Sequence, residues 1–284
     1  MDKEGAVYVQ CEQCGLVYTD PAPGTEELRL VADEWARKHH AGQHRMVWEG
    51  NRTLQEMIYG PRMWRIDQYR YSGRLLDVGC STGEFLDFAA SRGWEVKGCE
   101  LAQHTAEIAR RRCRCEVRCA TFEESGFEDG FFDVVTMWDV IEHLFDPGRA
   151  LEEAWRVLRP GGLLAFITPN YNSISRKILK KKWEGLIPPR HLFVFNTNTV
   201  KKLVALSGGK VVAVRTVDFN PLDIIGGVLK RRKYWFETRQ KNISAVKEIV
   251  LRHPRLKIVR EIINSFLSAT KLGDVLEVYA ERTP

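Results

Sequence analysis

The sequence predicts an α/β protein: a doubly wound, mostly parallel sheet of seven strands, with a helical N-terminal segment and a helical insertion before the last strand. Three observations predict it. From Arg74 onward, apolar runs of strand length alternate with helical patterns, as consecutive βαβ units do. The run LLDVGCSTGEF, residues 75–85, reads as a strand followed by a glycine-rich turn that opens a helix. Seven such strands exceed what a small sandwich uses, and their spacing fits a doubly wound sheet.

Taken in order, residues 1–24 hold Cys11-x-x-Cys14-Gly15 and the turn Pro21-Ala22-Pro23-Gly24. Residues 25–73 read as a helical cap with helices over 25–40 and 44–71, the second interrupted at Gly60-Pro61. The domain that follows, 74–284, has expected strands at 74–79, 94–100, 115–120, 131–138, 161–168, 210–219 and 274–282. Helices are expected between them at about 83–92, 102–112, 147–158, 172–181 and 197–206, and 221–272 is a mostly helical insertion.

At 284 residues, 44% hydrophobic and 28% charged, the chain can bury a full core and has an ordinary globular composition. No stretch approaches the ~20 apolar residues a transmembrane helix needs. The N-terminus MDKEGAVYVQ has no apolar signal core, so a cytoplasmic enzyme is expected. Seven scattered cysteines do not form a disulfide framework and are expected as reduced thiols. The net charge of +6 comes largely from Arg110–Arg112, Lys180–Lys182 and Lys230-Arg231-Arg232-Lys233. The first two fall where helices should end, a place that favours cations; the third adjoins Tyr234, Trp235 and Phe236.

The glycine turn decides the function class. Gly79-x-Ser81-x-Gly83 fits the exposed nucleophile turn of α/β-hydrolases, but it follows the first strand of the sheet and no HGGG-like stretch precedes it. A dinucleotide fold wants a third glycine at 84, where Glu84 would repel a pyrophosphate. A third reading is a loop for a nucleoside cofactor without phosphate. It gains from Glu100, 17 residues beyond Gly83 at the tip of the second strand, where a carboxylate can accept both ribose hydroxyls.

Further along, FFDVVTMWDVIEHLFDP and VLRPGGLLAFITPN complete an ordered set of motifs. With them, the chain resembles a class I S-adenosylmethionine-dependent methyltransferase, similar to the ubiquinone-biosynthesis type and other small-molecule enzymes with this Rossmann-like fold. The resemblance covers roughly residues 74–219 and is mute on substrate. It implies S-adenosylmethionine as cofactor. Asp77, Gly79, Cys80, Ser81, Thr82 and Gly83 would line its methionine half, Glu100 the ribose, Leu101, Thr121 and Phe122 the adenine, and Trp138 the sulfonium or the ring. Ser81 stands where the family usually has glycine and needs a compatible backbone angle.

Methyl transfer from a sulfonium is an in-line displacement that proximity and desolvation serve well. A hydroxyl or amine acceptor also profits from a base near pH 7, and histidine is the usual one. His143, just beyond the fourth strand, and His191, in IPPRHLFVF, are the candidates. The competing role for each is structural. Asp139, Glu142 and His143 could converge on a divalent ion, as in the metal-assisted enzymes of the ubiquinone group. Asp139 replaces the longer acid of that pattern, and no metal is assigned.

Cys11-x-x-Cys14 is half a zinc knuckle, and zinc needs four ligands. Relatives often begin with a zinc ribbon whose second half resembles CEQCGLVYTDPAP; its first half is absent here, so a truncated ribbon is expected rather than a loaded site. His40 and His44 form an i, i+4 pair. The acceptor is expected to be a small molecule methylated on a hydroxyl, in a pocket shaped by 25–71 and 221–272. Trp48, Tyr59, Trp64, Tyr69, Trp235 and Phe236 hint at an apolar or aromatic one. Two other classes are a nucleic-acid methyltransferase and a non-catalytic cofactor-binding protein. Amino-methylating DNA enzymes carry an Asp/Asn-Pro-Pro-aromatic loop where this chain has Trp138-Asp139-Val140-Ile141, so no nucleic-acid partner is expected.

Overall fold

A computed structural model describes residues 2–3, 6–40, 52–219, 224 and 254–283. From Arg74 the strands are β4 (Arg74–Val78), β5 (Glu95–Cys99), β6 (Glu116–Arg118), β7 (Phe132–Trp138), β8 (Leu158–Pro169), β10 (Gly209–Val217) and β11 (Val275–Arg282). They form one seven-stranded sheet in the order β10-β11-β8-β7-β4-β5-β6. The pairs from β8 through β6 are parallel, and β11 runs antiparallel to both β8 and β10. The expected seven-stranded, mostly parallel sheet is present. One expected boundary shifts: the strand expected from 161 begins at Leu158, and Arg159-Pro160-Gly161-Gly162 lies within β8 as a bulge, where the β7 register jumps from Phe132↔Leu158 to Val134↔Leu163. Gly161 absorbs the bend at φ 70°.

Both faces of the sheet are buried, as the near-continuous apolar strands require. Leu76, Val78, Val135, Met137 and Phe166 pack on α5 (Pro147–Val157) and α7 (Thr197–Leu206). Leu75, Val134, Leu163 and Ala165 face α3 (Glu84–Ala90), α4 (Gln103–Cys113) and a helix that precedes the sheet. Asp146 and Ser173 cap α5 and α6 (Ile174–Leu179), and Asn196 forms a capping box on α7. Lys180–Lys182 follow α6 as an exposed single turn.

Two helices precede the sheet, α1 (Thr25–His40) and α2 (Arg52–Asp67). Gly60-Pro61 does not interrupt α2, which runs through Pro61. A residue before proline normally avoids the helical region because its Cβ meets the ring; Gly60 has none, and Met57, Met63 and Ile66 hold the turn against the domain. The N-terminal β1 (Asp2–Lys3), β2 (Ala6–Gln10) and β3 (Val17–Thr19) form a small antiparallel sheet completed by β9 (Phe193–Val194). In the 221–272 insertion, α8 (Pro254–Thr270) is described; Lys230–Lys233, Trp235 and Phe236, like His44 and Trp48, lie outside the described residues.

Two cysteines depart from the expected reduced thiols. Cys113 and Cys115 are joined by a disulfide, because Arg114 between them turns at φ 51° and brings their Cα atoms to 5.2 Å. Cys11, Cys14, Cys80, Cys99 and Cys119 are free.

Candidate active site

The loop after β4 is shaped by left-handed backbone at alternate residues: Gly79 φ 67°, Ser81 φ 50° and Gly83 φ 79°. Gly79 and Cys80 donate their N–H groups to the Cys99 carbonyl, at 2.8 and 3.1 Å, which locks the loop to the end of β5. Ser81, at the position where the family usually has glycine, adopts the left-handed angle that position needs. Gly83 must be glycine for a second reason. A Cβ there would stand 3.0 Å from the Ala109 Cα, so the loop lies directly on α4. Arg112, from the same helix, donates to the Thr82 carbonyl at 2.7 Å and pairs with Glu84 at 2.5 Å.

Glu100 stands at the mouth of this loop. Its Oε2 accepts the Ser81 N–H and its Oε1 the Ala102 N–H, both at 2.9 Å. Burial pushes its carboxyl up, while these backbone donors pull it back down. Each oxygen retains a lone pair for a ribose hydroxyl. Asp77, beneath the loop, is buried and accepts from Thr136 Oγ1 at 2.6 Å. Burial pushes it up to about 7, against the Thr136 hydrogen bond and the Arg62 charge. A carboxylate held so near neutrality is suited to a cationic ligand. Leu101 and Thr121 are half-buried and Thr121 bonds Glu124, whereas the Phe122 ring belongs to the core. Cys80 is buried beside Gly98, where a Cβ would lie 2.8 Å from its Sγ.

Trp138 ends β7 with its ring edge-on to Phe85, centroids 5.3 Å apart. Arg62 of α2 lies over the Trp138 face at 5.0 Å, and Tyr59, one turn earlier, packs edge-on to Phe85 at 5.5 Å. Trp138 Nε1 is buried without a partner among the described residues. Arg62 was not singled out by sequence reasoning. Its one signal is the i, i+3 spacing to Tyr59 on a helix face, which many surface arginines share.

Between α2 and the sheet lies a cavity of about 120 Å³, walled by Met57, Ile58 and Pro61 of α2 and by Ile167, Val217 and Val275 of the sheet. Arg62, Asp139, Asp218 and Glu277 supply its charges. Glu277 is compensated by Arg65 at 3.0 Å and Arg215 at 3.8 Å. Asp139 sits at a left-handed φ of 58° and is exposed at the rim of the cavity it lines. Of the aromatic residues expected around the acceptor, Trp64 is exposed and Tyr69 stacks on Tyr279, so the described wall is aliphatic and charged.

His143 and His191, far apart in sequence, are brought together with ring centroids 4.8 Å apart. His143 Nδ1 lies 2.8 Å from the Arg190 carbonyl and His191 Nδ1 2.8 Å from the Gly185 carbonyl. Each Nδ1 is therefore the protonated nitrogen, and Nε2 carries the lone pair. Burial, then the neighbouring His191 and Arg190, hold His143 well below its usual range. Neither imidazole lines the cavity. Donor atoms of Glu142, His143 and His191 lie within 4.8 Å of one another, a set whose nitrogen and oxygen donors suit a divalent transition metal. Asp139, grouped with Glu142 and His143 from the sequence, is not in that set, and His191 takes its place.

The model of the methyltransferase domain family matches residues 60–214 of the chain. A probable S-adenosylmethionine-dependent methyltransferase of Mycolicibacterium smegmatis is 36% identical over 159 residues, 55% of this chain and 54% of that protein. The chain thus spans about half the length of that relative. A ubiquinone biosynthesis O-methyltransferase of Alkalilimnicola ehrlichii is 36% identical over 169 residues, covering 55% of this chain and 67% of the relative. Among solved structures, the [4+2]-cyclase SpnF aligns with a TM-score of 0.58 at 17% identity, over 93% of this chain and 98% of its own; at that identity the likeness is one of fold. With that family model matching more than half of its length, the chain belongs to the methyltransferase domain family.

Proposed function

We propose that the chain methylates a hydroxyl of a small-molecule acceptor held in the cavity beside Trp138. The observation that carries this reading is the cavity itself, lined by Asp139, the residue after β7, by Arg62, which lies over the Trp138 ring, and by Met57, Ile58 and Pro61 of α2. The cofactor supplies an electrophilic methyl group on a sulfonium. Loop Gly79–Gly83 and Asp77 hold its methionine half, with Asp77 matching the cationic charge. Glu100 holds the ribose, Leu101 and Thr121 flank the adenine, Trp138 packs beside the sulfonium, and Phe122, whose ring is in the core, backs the loop from behind. Arg62, above Trp138, is placed to receive the methionine carboxylate. The aliphatic side chains of Met57, Ile58 and Pro61 make one wall of the cavity apolar, which strengthens electrostatic attraction beside it.

A hydroxyl must lose its proton as the methyl arrives. The His143–His191 pair offers neutral Nε2 lone pairs for it, and the ubiquinone O-methyltransferase relatives favour a hydroxyl acceptor. A second reading has its own observation: Asp139 lines the cavity and the histidines do not, so Asp139 takes the proton directly.

Transfer of a labelled methyl group separates the acceptor classes. The chain should label 3,4-dihydroxybenzoate, a catechol probe, and leave histamine and duplex DNA unlabelled. Label entering DNA or the amine, with none on the catechol, would overturn the reading.

A further inference from the structure

The N-terminal hairpin of β2 and β3 contributes no residue to the cavity wall, yet it reaches the loop that carries His191. Tyr8, on β2, donates its hydroxyl to the His191 carbonyl at 2.9 Å. Thr19, at the end of β3, donates its N–H to the Leu192 carbonyl at 2.9 Å, and β3 pairs with β9 just beyond. From the other side, His143 Nδ1 donates to the Arg190 carbonyl at 2.8 Å, and Leu192 N–H donates to the Glu142 carbonyl at 2.8 Å. The consecutive carbonyls of Arg190, His191 and Leu192 are thus each fixed by a different element of the fold. The bond that falls on His191 itself comes from Tyr8.

Tyr8 is buried and shares a small core with Val17, Leu179, Trp183, Leu186 and Val194. The same core steadies the partner of the His191 ring. His191 Nδ1 lies 2.8 Å from the Gly185 carbonyl, and the Trp183 ring packs so closely on Gly185 that a Cβ there would stand 2.2 Å from it. Backbone and ring of His191 are therefore both held by the core to which Tyr8 belongs. A buried carbonyl deprived of its donor must find another or stay unmet, so loss of the Tyr8 hydroxyl displaces the residue that bears it. We propose that Tyr8 is a positioning residue for His191: its hydroxyl fixes the place and the tautomer in which that imidazole meets His143. A ring held with Nδ1 protonated keeps its lone pair on Nε2, the form a base needs. The effect on turnover rests on the reading of His191 as a proton acceptor; the effect on the ring does not.

The test compares Tyr8→Phe, which keeps the ring in its core and removes the hydroxyl, with wild type, His191→Ala and the double variant, all as the full chain. Methyl transfer to 3,4-dihydroxybenzoate gives kcat and KM, and heteronuclear NMR of the imidazoles reports which ring nitrogen carries the proton. Expected in Tyr8→Phe is a kcat about 10- to 100-fold lower, the scale of a slightly misplaced catalytic group, with KM and S-adenosylhomocysteine affinity held. The double variant should be no slower than His191→Ala, because Tyr8 acts through His191; a merely structural loss would add. His191, protonated at Nδ1 in wild type, should lose that single tautomer in Tyr8→Phe. His104, on α4, should keep its signals, which shows that the variant folds. An unchanged His191 tautomer in Tyr8→Phe, or additive losses in the double variant, would overturn the proposal alone. His191→Ala turning over within a few-fold of wild type would overturn the base reading, and the part of Tyr8 in turnover with it.

Discussion

Glu100 clamps the cofactor loop: its Oε2 accepts the backbone N–H of Ser81 at 2.9 Å, across the gap between the ends of β4 and β5. One carboxylate thus fixes the conformation of the loop, and in the proposed function its remaining lone pairs receive a ribose. Glu100→Ala should lose both functions. Affinity for S-adenosylhomocysteine should fall by about 1–3 kcal/mol, the scale of charge-assisted hydrogen bonds, as read by calorimetry. Glu100→Gln, which keeps an acceptor oxygen, should lose less.

If Asp77 meets the cofactor as proposed, binding should be sensitive to pH. Its carboxyl is pushed up to about 7 by burial, and a cationic ligand favours its ionised form. Affinity for S-adenosylmethionine should therefore rise with pH up to about 7 and level off above, and Asp77→Asn should flatten the profile. The stability of the ligand-free protein runs the other way. Between the ordinary carboxyl range near 4 and pH 7, the folded state holds a proton that the unfolded chain has lost, so this group's contribution declines as pH rises through that window. Thermal melts of wild type and Asp77→Asn across pH 5–8 check the sign.

Gly83→Ala should damage the loop although the change is one methyl group. The added Cβ meets the Ala109 backbone at 3.0 Å in a left-handed conformation, so either α4 or the loop must move. The cost should be about 1–3 kcal/mol in stability, together with a measurable loss of cofactor affinity. Gly93→Ala, where φ is 89° but a Cβ would meet nothing within 4 Å, controls for the backbone strain alone.

Much of this site can be read in the sequence because its parts come from strand ends at fixed spacings. Asp77 near the end of β4, the glycine loop after it, Glu100 after β5 and Trp138 at the end of β7 are each tied to a strand that its apolar run makes visible. Arg62 could not be found that way, since it reaches the site from a separate helix whose placement depends on packing by Met57, Met63 and Ile66. The meeting of His143 with His191 depends on how α5, β8 and α6, which lie between them in the chain, bring it back to the end of β7, and nothing local announces it. β9, two residues long, joins the N-terminal sheet through Val17↔Val194, a pairing too short to leave a pattern. Gly60-Pro61 misled for a local reason: the pair reads as a breaker, and the missing Cβ of Gly60 lets the helix continue.

The proton acceptor can be assigned by removing each candidate in turn. A true base contributes typically ~10²–10⁴ in rate, so His143→Ala, His191→Ala or Asp139→Asn should lower turnover on a methylated probe by that order while cofactor affinity holds. If Asp139 is the base, the two histidine variants remain within a few-fold of wild type. Chelation should leave turnover unchanged in either case; full loss restored by zinc or magnesium would instead place an ion on Glu142, His143 and His191.

The central claim is that loop Gly79–Gly83 and Glu100 form an S-adenosylmethionine site, and calorimetry on the wild-type chain tests it most directly. The account predicts saturable binding of S-adenosylmethionine and S-adenosylhomocysteine, one per chain, weakened by Glu100→Ala, with no measurable binding of NAD. Binding of NAD with none of S-adenosylmethionine, or cofactor affinity indifferent to Glu100, would contradict it.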